Sequence, residues 1–322
     1  MDNKKLSIIT INRNNAEGLR KTLASVASQT YRGIEHIIVD GASTDGSVNV
    51  IREYESANLS SSHPLTITWT SEKDNGIYHA MNKGIEIALG RRIVNEDHTS
   101  SLISLNAQCS SLNESPCDYI QILNSGDILA APDVAQRMVD ILDSLNTKRS
   151  SLNEDAIGIL YGNMLKDYGK GKIVKDTCGG AGATNSFLYF YRGTLNHDCA
   201  YIRRDLFDKY GLYNEDMKIC SDWEWYVKAI ALGGEKAVYT NIDVTIFDMN
   251  GVSESNGKNA ELIKKERREY LEKILPLTVL HDYDTFSFPI LQYQRMKKYH
   301  LWGVVYFIER VLFKLEKWKI LR

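Results

Sequence analysis

The first part of the chain repeats one pattern, a short apolar strand that ends in a polar turn and is followed by an amphipathic helix. Residues 6–11 form a continuous apolar run, as expected of a parallel strand that is buried on both faces. Further strands are predicted at 35–40 and 65–70, with helices at about 16–29, 47–54 and 77–89. Strands that alternate with helices in this way form a parallel sheet with right-handed crossovers. The sequence therefore predicts an α/β fold.

A later stretch, residues 120–127, reads Ile-Gln-Ile-Leu-Asn-Ser-Gly-Asp and is predicted to be a strand that stops in a polar turn. Ligands of open α/β sheets bind beyond the carboxyl ends of the strands. A carboxylate at that edge, here Asp127, can hold a hard cation, and the cation can hold a diphosphate. The alternative is an ordinary turn whose backbone shape is supplied by Asn124 and Gly126. These eight residues alone leave both interpretations open.

Residues 91–117 interrupt the strand–helix pattern. They are polar and rich in Ser and Asn, and we interpret them as an insertion or a flexible loop. Beyond the central strand, the pattern predicts a helix at 132–145, a strand at 157–162, a helix at 221–231, a strand region at 237–247 and helices at 261–274 and 299–318.

The charge of the chain is unevenly distributed. The formal net charge of −2 argues against nucleic-acid binding by bulk electrostatics. Residues 258–322 contain fourteen Lys and Arg against eight Asp and Glu, so this segment carries +6 and residues 1–257 carry −8. A basic tail on an acidic body suggests an anionic surface, such as a membrane leaflet, as partner. A solvated basic helix is the alternative interpretation.

The cysteines and the N-terminus point to a cytoplasmic protein. There are five cysteines, an odd number, and none forms a C-x-x-C pair. This favours reduced thiols and argues against a zinc site. The N-terminal residues run directly into a strand without the apolar core of a signal peptide. No apolar run is long enough to span a bilayer.

Four segments, in order along the chain, resemble those of glycosyltransferase family 2, whose members are inverting nucleotide-sugar transferases of GT-A fold. The segments are 7–14 (SIITINRN), 39–46 (VDGASTDG), 74–84 (DNGIYHAMNKG) and 123–127 (LNSGD). A fifth, 221–225 (SDWEW), falls where that family carries its base. The most similar subset makes bacterial surface polysaccharides. The resemblance implies a GT-A catalytic domain at 1–255 and a helical C-terminal extension at 256–322.

The resemblance also assigns the chemistry of sugar transfer to particular residues. Asp127 matches the last carboxylate of the family's metal motif, which implies Mn²⁺ or Mg²⁺ as cofactor, and Asn124 stands where an acid is usual. Asp222 matches the base that takes the proton of the acceptor hydroxyl. Glu224 is the alternate base. A purely structural Asp222, stabilised by the dipole at the start of its helix, is the other interpretation.

The remaining assignments concern the two substrates. The implied donor is a nucleotide-diphosphate sugar, most simply a UDP-sugar, and the implied acceptor is a glycan or a lipid-linked glycan. The resemblance places the donor at Thr10, Asn12, Asp40, Asp74, Asn82, Lys83 and Asn124. It places the acceptor or the sugar at His197, Trp223 and Glu224, although a structural His197 and a core Trp223 are alternatives. Residues 251–255 resemble a loop that closes over the donor.

The turn after the first strand argues against two other classes of nucleotide-binding enzyme. A nucleotidyltransferase would carry a Gly-rich, basic signature there, and residues 12–18 do not form one. A Rossmann dehydrogenase would carry G-x-G-x-x-G, which is absent from that position. A non-catalytic or nucleotide-sugar-processing protein on the same fold stays open, because a fold does not by itself imply a function.

The predicted helix at 299–318 is amphipathic. Leu301, Val304, Ile308, Val311 and Leu315 share its apolar face, and Arg310, Lys314 and Lys317 fall on the other side. This pattern is typical of a helix that lies in a membrane interface. The alternative is that the face packs on the catalytic domain or on a second subunit, as in a homodimer. A membrane role would place the protein peripherally on the inner face of the membrane.

Overall fold

The computed structural model describes residues 5–102, 118–150, 157–178, 180, 186–249 and 258–320. Contacts divide the chain into two units, Met1–Arg267 and Arg268–Arg322. The sequence predicted a boundary at 255. The contact division falls between residues 267 and 268, within the helix Lys258–Ile274. The predicted closing loop at 251–255 lies outside the described residues.

The first unit begins as the sequence predicts, with three strand–helix pairs. These are β1 (Leu6–Asn12) and α1 (Ala16–Ala27), β2 (Ile34–Asp40) and α2 (Ser47–Leu59), and β3 (Thr66–Ser71) and α3 (Ile77–Ala88). There follow β4 (Arg92–Val94), β5 (Ser100–Leu102), β6 (Tyr119–Ile122), β7 (Ile128–Leu129), α4 (Val134–Ser150), β8 (Ile159–Asp167) and β9 (Ile173–Asp176). The unit continues with α5 (Phe187–Arg192), a 3₁₀ turn (His197–Cys199), β10 (Ala200–Arg203), α6 (Asp205–Tyr210), α7 (Ser221–Tyr226), which extends into a π-helical stretch (Val227–Leu232), β11 (Ala237–Asp248) and α8 (Lys258–Ile274).

The main sheet is mixed, with the strand order β3-β2-β1-β6-β10-β8-β11-β7 and with β9 paired to β8. Strands β3, β2, β1 and β6 are parallel neighbours, and β8 is parallel to β11. By contrast, β10 runs antiparallel to β6 and β8, and β7 runs antiparallel to β11. The α/β prediction is confirmed. The antiparallel part was not predicted, because β7 and β10 are too short to show a clear sequence period.

Among the described residues, two clusters of buried apolar side chains hold α1, α2 and α4 to this sheet. One joins Leu19 and Leu23 of α1 to Val50 and Ile51 of α2 and to neighbouring residues of β2 and β3. The other joins α4 to β1, β6 and β8 and to nearby segments. All seven residues of β1 are buried, which explains why this strand has no polar-to-apolar alternation.

The structure differs from the sequence prediction over residues 91–102, which were assigned to an insertion or flexible loop. Strands β4 and β5 form an antiparallel hairpin. Between them, His98 stacks on Trp69 with ring centroids 3.5 Å apart. The His98 carbonyl also accepts hydrogen bonds from the Thr70 hydroxyl and the Ser71 N–H. The polar sequence therefore folds because it bonds to edge strand β3, rather than because it buries apolar surface. Residues 103–117 lie outside the described residues.

The second unit contains the end of α8, α9 (Leu277–Lys298) and α10 (Trp302–Ile320). Arg268 of α8 pairs at 2.7 Å with Glu272 in the same helix and at 2.7 Å with Asp284 of α9, and the second ion pair connects the two helices. Helix α9 was not predicted, because Pro289 falls inside it and proline removes a helical hydrogen bond. In the described residues, every helix is too short or too polar to cross a bilayer.

Gly84 marks a close approach between α3 and β1. A Cβ atom at this position would overlap the side chain of Ile9, a β-branched residue with little freedom to move. We expect Gly84→Ala to lower the free energy of unfolding by about 1–3 kcal/mol, measured by urea denaturation. Gly303→Ala is the control, because a Cβ there meets nothing within 4 Å. Equal stability of the Gly84 variant and the wild type would show that α3 moves aside without cost.

Candidate active site

A pocket of about 660 Å³ lies at the carboxyl edge of the parallel strands. Parallel pairing brings the carboxyl ends of three strands to the same edge of the sheet. Asn12 of β1 pairs with Asp40 of β2, and Ile9 of β1 pairs with Ile122 of β6. The ends of β1, β2 and β6 therefore meet in one place. The pocket is lined by the turn after β1, the start of α1, Asp74, the start of α3, residues 124–127 and the end of β11.

Hydrogen bonds to α1 fix the turn that follows β6. The Thr22 hydroxyl donates to the main-chain oxygen of Asp127 at 2.7 Å and accepts from the N–H of Gly126 at 2.9 Å. The Asn15 amide donates to the carbonyl of Ser125 at 3.0 Å, while its oxygen caps α1. Gly126 has φ +110°, a backbone conformation that favours glycine. The turn thus holds the Asp127 side chain at the pocket, where 6% of the residue is exposed.

A chain of polar contacts connects this turn to the start of α7. Nδ2 of Asn124 lies 3.1 Å from Nε2 of His197. Nδ1 of His197 lies 3.4 Å from Oδ2 of Asp222. The Tyr78 hydroxyl donates to the other carboxylate oxygen of Asp222 at 3.1 Å. Asp222 is therefore held from two sides, while 15% of its side chain stays exposed.

His197 and Asp222 form an ion pair. Burial lowers the pKa of His197, but the hydrogen bond and charge of Asp222 outweigh it and raise the pKa to about 9. Burial raises the pKa of Asp222, but His197, the Trp223 N–H and the Tyr78 hydroxyl together bring it below its ordinary value. A protonated His197 donates through both ring nitrogens, and the Asn124 amide oxygen is buried without a partner among the described residues. Exchanging the nitrogen and oxygen of that amide supplies the acceptor.

Comparison with known proteins gives a family match for the first part of the chain. The family model described as "Glycosyl transferase family 2" matches residues 7–98, which include β1, β2 and β3. These residues contain a glycosyltransferase family 2 domain. A glycosyltransferase of Mycobacterium tuberculosis is 29% identical to it over 227 residues, 70% of this chain and 68% of that protein. A PGL/p-HBAD biosynthesis glycosyltransferase of Mycobacterium bovis is 21% identical over 259 residues, 80% of this chain and 82% of that protein.

Solved structures show that this glycosyltransferase has the GT-A fold. S. aureus TarS 1–349, in complex with UDP, superposes with a TM-score of 0.53 at 14% identity, over 76% of this chain and 60% of that one. The mannosyltransferase PcManGT from Pyrobaculum calidifontis, in complex with GDP-Man and Mn²⁺, superposes with a TM-score of 0.55 at 17% identity, over 88% of this chain and 70% of that one. This chain thus spans about three fifths of the TarS 1–349 chain. The fold predicted from the resemblance is confirmed.

Asn12 and Asp40, two of the residues predicted to bind the sugar donor, are hydrogen-bonded to each other. Asn12 lines the pocket and donates from Nδ2 to Asp40 at 2.8 Å. Asp40 is buried and also accepts from the hydroxyls of Ser43 and Ser71 at 2.6 and 2.7 Å. Both Asp40 oxygens are therefore occupied within the chain, so Asp40 orients Asn12 and the neighbouring turns.

Three further residues predicted to bind the sugar donor have side chains that interact with other residues of the fold. Thr10 is buried and lies 3.0 Å from Nε2 of His36. Asn82 bonds the main chain of Tyr213 through both its amide nitrogen and its oxygen, at 2.9 Å each. Lys83 pairs with Glu72 at 3.0 Å. None of these three is among the described residues that line the pocket. Asp74 does line it, where it lies 3.9 Å from Arg13.

The structure places Trp223 and Glu224, which were predicted on the acceptor or sugar side, in the core. Trp223 is 1% exposed and donates from its ring to the carbonyl of Phe190 at 2.7 Å. Glu224 pairs with Lys228 at 2.6 Å and accepts from Asn214 at 3.0 Å. Both residues follow Asp222 directly, and consecutive helical positions point in different directions. Only Asp222 of the three joins the chain of contacts that leads to the pocket.

Two residues near the site were not assigned a role from the sequence. Tyr78 belongs to the segment 74–84 that carries the resemblance. Its contact with Asp222 joins residues that are 144 positions apart, and a sequence pattern does not show such a contact. Asp198 is 2% exposed and accepts from the Thr245 hydroxyl at 3.1 Å. Its position after His197 was the one available signal. Both residues are brought to the site only by the folding of distant segments.

The His197–Asp222 pair predicts a pH-dependent stability. The pKa of His197 is raised from its ordinary 6.5 to about 9. The contribution of His197 to the free energy of unfolding is therefore complete below pH 6.5 and is lost as pH rises through about 9. The pKa of Asp222 lies below its ordinary 3.8, so its contribution is lost only as pH falls below that value. We expect the wild-type Tm to decline from about pH 7 to about pH 9.5, and the Tm of Asp222→Asn to decline less. Parallel declines of the two Tm curves would contradict the ion pair.

Proposed function

We propose that this transferase moves a sugar from a nucleotide-diphosphate sugar, most simply UDP-linked, to a glycan or lipid-linked glycan in bacterial surface polysaccharide synthesis, with inversion. The observation that carries the proposal is the continuous contact from Asn124, at the pocket, through His197 to the charged Asp222. It connects a carboxylate suited to accept a proton with the turn that presents Asp127.

Asp222 acts as the base in the proposed reaction. The acceptor hydroxyl oxygen attacks the anomeric carbon and forms the new C–O bond as the bond to the diphosphate breaks. The hydroxyl proton passes to Asp222, and the electron pair of the broken bond leaves with the nucleoside diphosphate. Attack from the side opposite the leaving group inverts the anomeric centre. Tyr78 and His197 hold the carboxylate in orientation, which lowers the cost of reaching the reactive geometry.

The negative charge of the leaving diphosphate needs a balancing positive charge at the pocket. Mn²⁺ or Mg²⁺, held by Asp127, would supply that charge. The residues fit such an ion, because the Asp127 carboxylate at the pocket is the kind of hard oxygen ligand that these cations prefer. Among the described residues there is no group of three acidic, His or Cys side chains arranged to hold a metal. Arg13 and Lys21 also line the pocket and contribute positive charge.

A ligand panel with one variant tests the function. We expect thermal-shift assays to show a higher Tm with one of UDP-, GDP- or dTDP-sugars, and a larger shift with Mn²⁺ present. Asp222→Asn should keep that shift and lose about 10²-fold or more of nucleotide release from the donor. An amide keeps the shape of the carboxylate but does not take the proton.

Glu224→Gln is the matched control for the base. It removes the same charge two positions along the chain, from a side chain already paired with Lys228. We expect it to release nucleotide at a rate close to that of the wild type. Wild-type turnover by Asp222→Asn, together with loss in Glu224→Gln, would transfer the role to Glu224. No thermal shift with any nucleotide sugar would overturn the proposed donor.

We further propose that α10 attaches the transferase to an anionic membrane surface. Residues 295–322 contain eight Lys and Arg against two Asp and Glu, so the whole +6 charge of the tail lies in them. Large apolar side chains are exposed in the same segment: Leu301, Trp302, Val304, Tyr306, Phe307, Ile308, Val311, Leu312, Phe313, Leu315 and Trp318. Like charge disfavours self-association through this segment, whereas an anionic lipid surface complements both its charge and its apolar side chains.

Vesicle co-sedimentation tests the attachment. We expect the full chain to pellet with phosphatidylserine vesicles at low salt and to be released as salt is raised. The double variant Val304→Asp, Leu315→Asp should stay in the supernatant. Both side chains lie on one apolar face of α10, and the substitutions place negative charges on that face. Leu59→Asp, at an exposed apolar position of the first unit, should pellet like the wild type. A dimer in solution with no vesicle binding would favour self-association instead.

A further inference from the structure

The turn Asn124–Asp127 supplies one carboxylate where the family's motif usually supplies two. Divalent cations with oxygen ligands gain much of their binding energy from anionic groups. An amide oxygen at Asn124 carries no net charge, so Asp127 alone would be a weak ligand set. The fold brings a second carboxylate, that of Asp198, from a segment more than seventy residues later in the chain.

Contacts on one side connect Asp198 to the turn after β6. His197, its direct neighbour, lies 3.1 Å from Nδ2 of Asn124. The main-chain oxygen of Asp198 accepts from Nε2 of Gln121 in β6 at 2.6 Å. Asn124 and Gln121 lie three and six positions before Asp127. Asp198 is thus fixed both to the strand and to the turn that present Asp127.

A contact on the other side connects Asp198 to β7, the strand that follows Asp127. The Thr245 hydroxyl donates to Oδ2 of Asp198 at 3.1 Å. Thr245 pairs with Leu129 in the antiparallel pairing of β11 with β7. Leu129 lies two positions after Asp127. The position of Asp198 is therefore determined from both ends of the segment that contains Asp127.

One oxygen of Asp198 is left without a partner. Oδ1 is buried and accepts no hydrogen bond from the described residues, and the residue is 2% exposed. An unpaired buried carboxylate oxygen is costly to keep in a folded protein. A positive ion beside both carboxylates would remove this cost.

We propose that Asp198 is the second carboxylate ligand of the cation held by Asp127, and that it replaces the acid missing at Asn124. The inference rests on the proposed function, because the cation serves the donor diphosphate. Two carboxylates suffice for this task, since such ions complete their coordination with phosphate oxygens and water. The role of Thr245 is to orient Asp198 through Oδ2 and to leave Oδ1 free.

Direct measurement of Mn²⁺ binding tests the assignment. Electron paramagnetic resonance follows free Mn²⁺ during titration of the full-length protein with MnCl₂, alone and with UDP or GDP. We expect Asp127→Asn and Asp198→Asn each to weaken binding at least about tenfold, since each removes one anionic ligand. Glu17→Gln is the matched control, because Glu17 also lines the pocket but pairs with Lys21 and is largely exposed. Its Mn²⁺ affinity should equal that of the wild type.

A structural role for Asp198 gives a different result. The Tm of Asp198→Asn without metal should equal or exceed the wild-type value, because an amide removes an unpaired buried charge. A lower Tm with unchanged Mn²⁺ affinity would overturn the inference and leave the proposed function intact. If Asp198→Asn does not fold, Asp198→Ser replaces it, since it also removes the carboxylate, and wild-type Mn²⁺ affinity in that variant would also overturn the inference. Failure of the wild type to bind Mn²⁺ with either nucleotide would instead remove the cation from the proposed function.

Discussion

Parallel pairing of β1 with β2 on one side and β6 on the other is the interaction on which the site depends. It aligns Asn12 with Asp40 and sets the end of β6 beside the end of β1. Three polar turns, far apart in sequence, therefore open at one edge of the sheet. The apolar character of β1, buried at every residue, makes this register costly to change, because a shift of one residue would expose its core side chains.

Buried carboxylates in this protein divide into those with a complete set of partners and those without. Asp40 receives hydrogen bonds on both oxygens and holds the turns in place. Asp222 is paired with His197 and Tyr78 and stays charged. Asp127 and Asp198 lie in surroundings that disfavour their charge. Buried carboxylates of the last kind are typical of binding sites, and here Asp127 lines the pocket.

The two units of the chain bury their apolar residues to different extents. In the first unit, the large apolar side chains of β1, β2, β6 and α4 are almost all inside. In the second unit, eighteen of the twenty-six exposed large apolar residues of the described chain fall between Leu277 and Trp318. An exposed apolar surface of this extent marks a site of interaction. The pocket and most of the exposed apolar surface of the described chain thus lie in separate parts of the sequence.

The sequence by itself determined the parallel half of the sheet, the turn at Asp127 and the family, because each is encoded in a contiguous stretch with a clear period or an ordered motif. It could also name Asp222, from the motif at the start of α7. Tertiary structure decided which polar residues face the pocket. Thr10 and Trp223 carry suitable chemical groups but point into the core, and no local pattern distinguishes the two orientations. Tyr78 and Asp198 reach the site through contacts between segments separated by 144 and 47 positions, which depend on how strands and helices pack and not on which residues adjoin them.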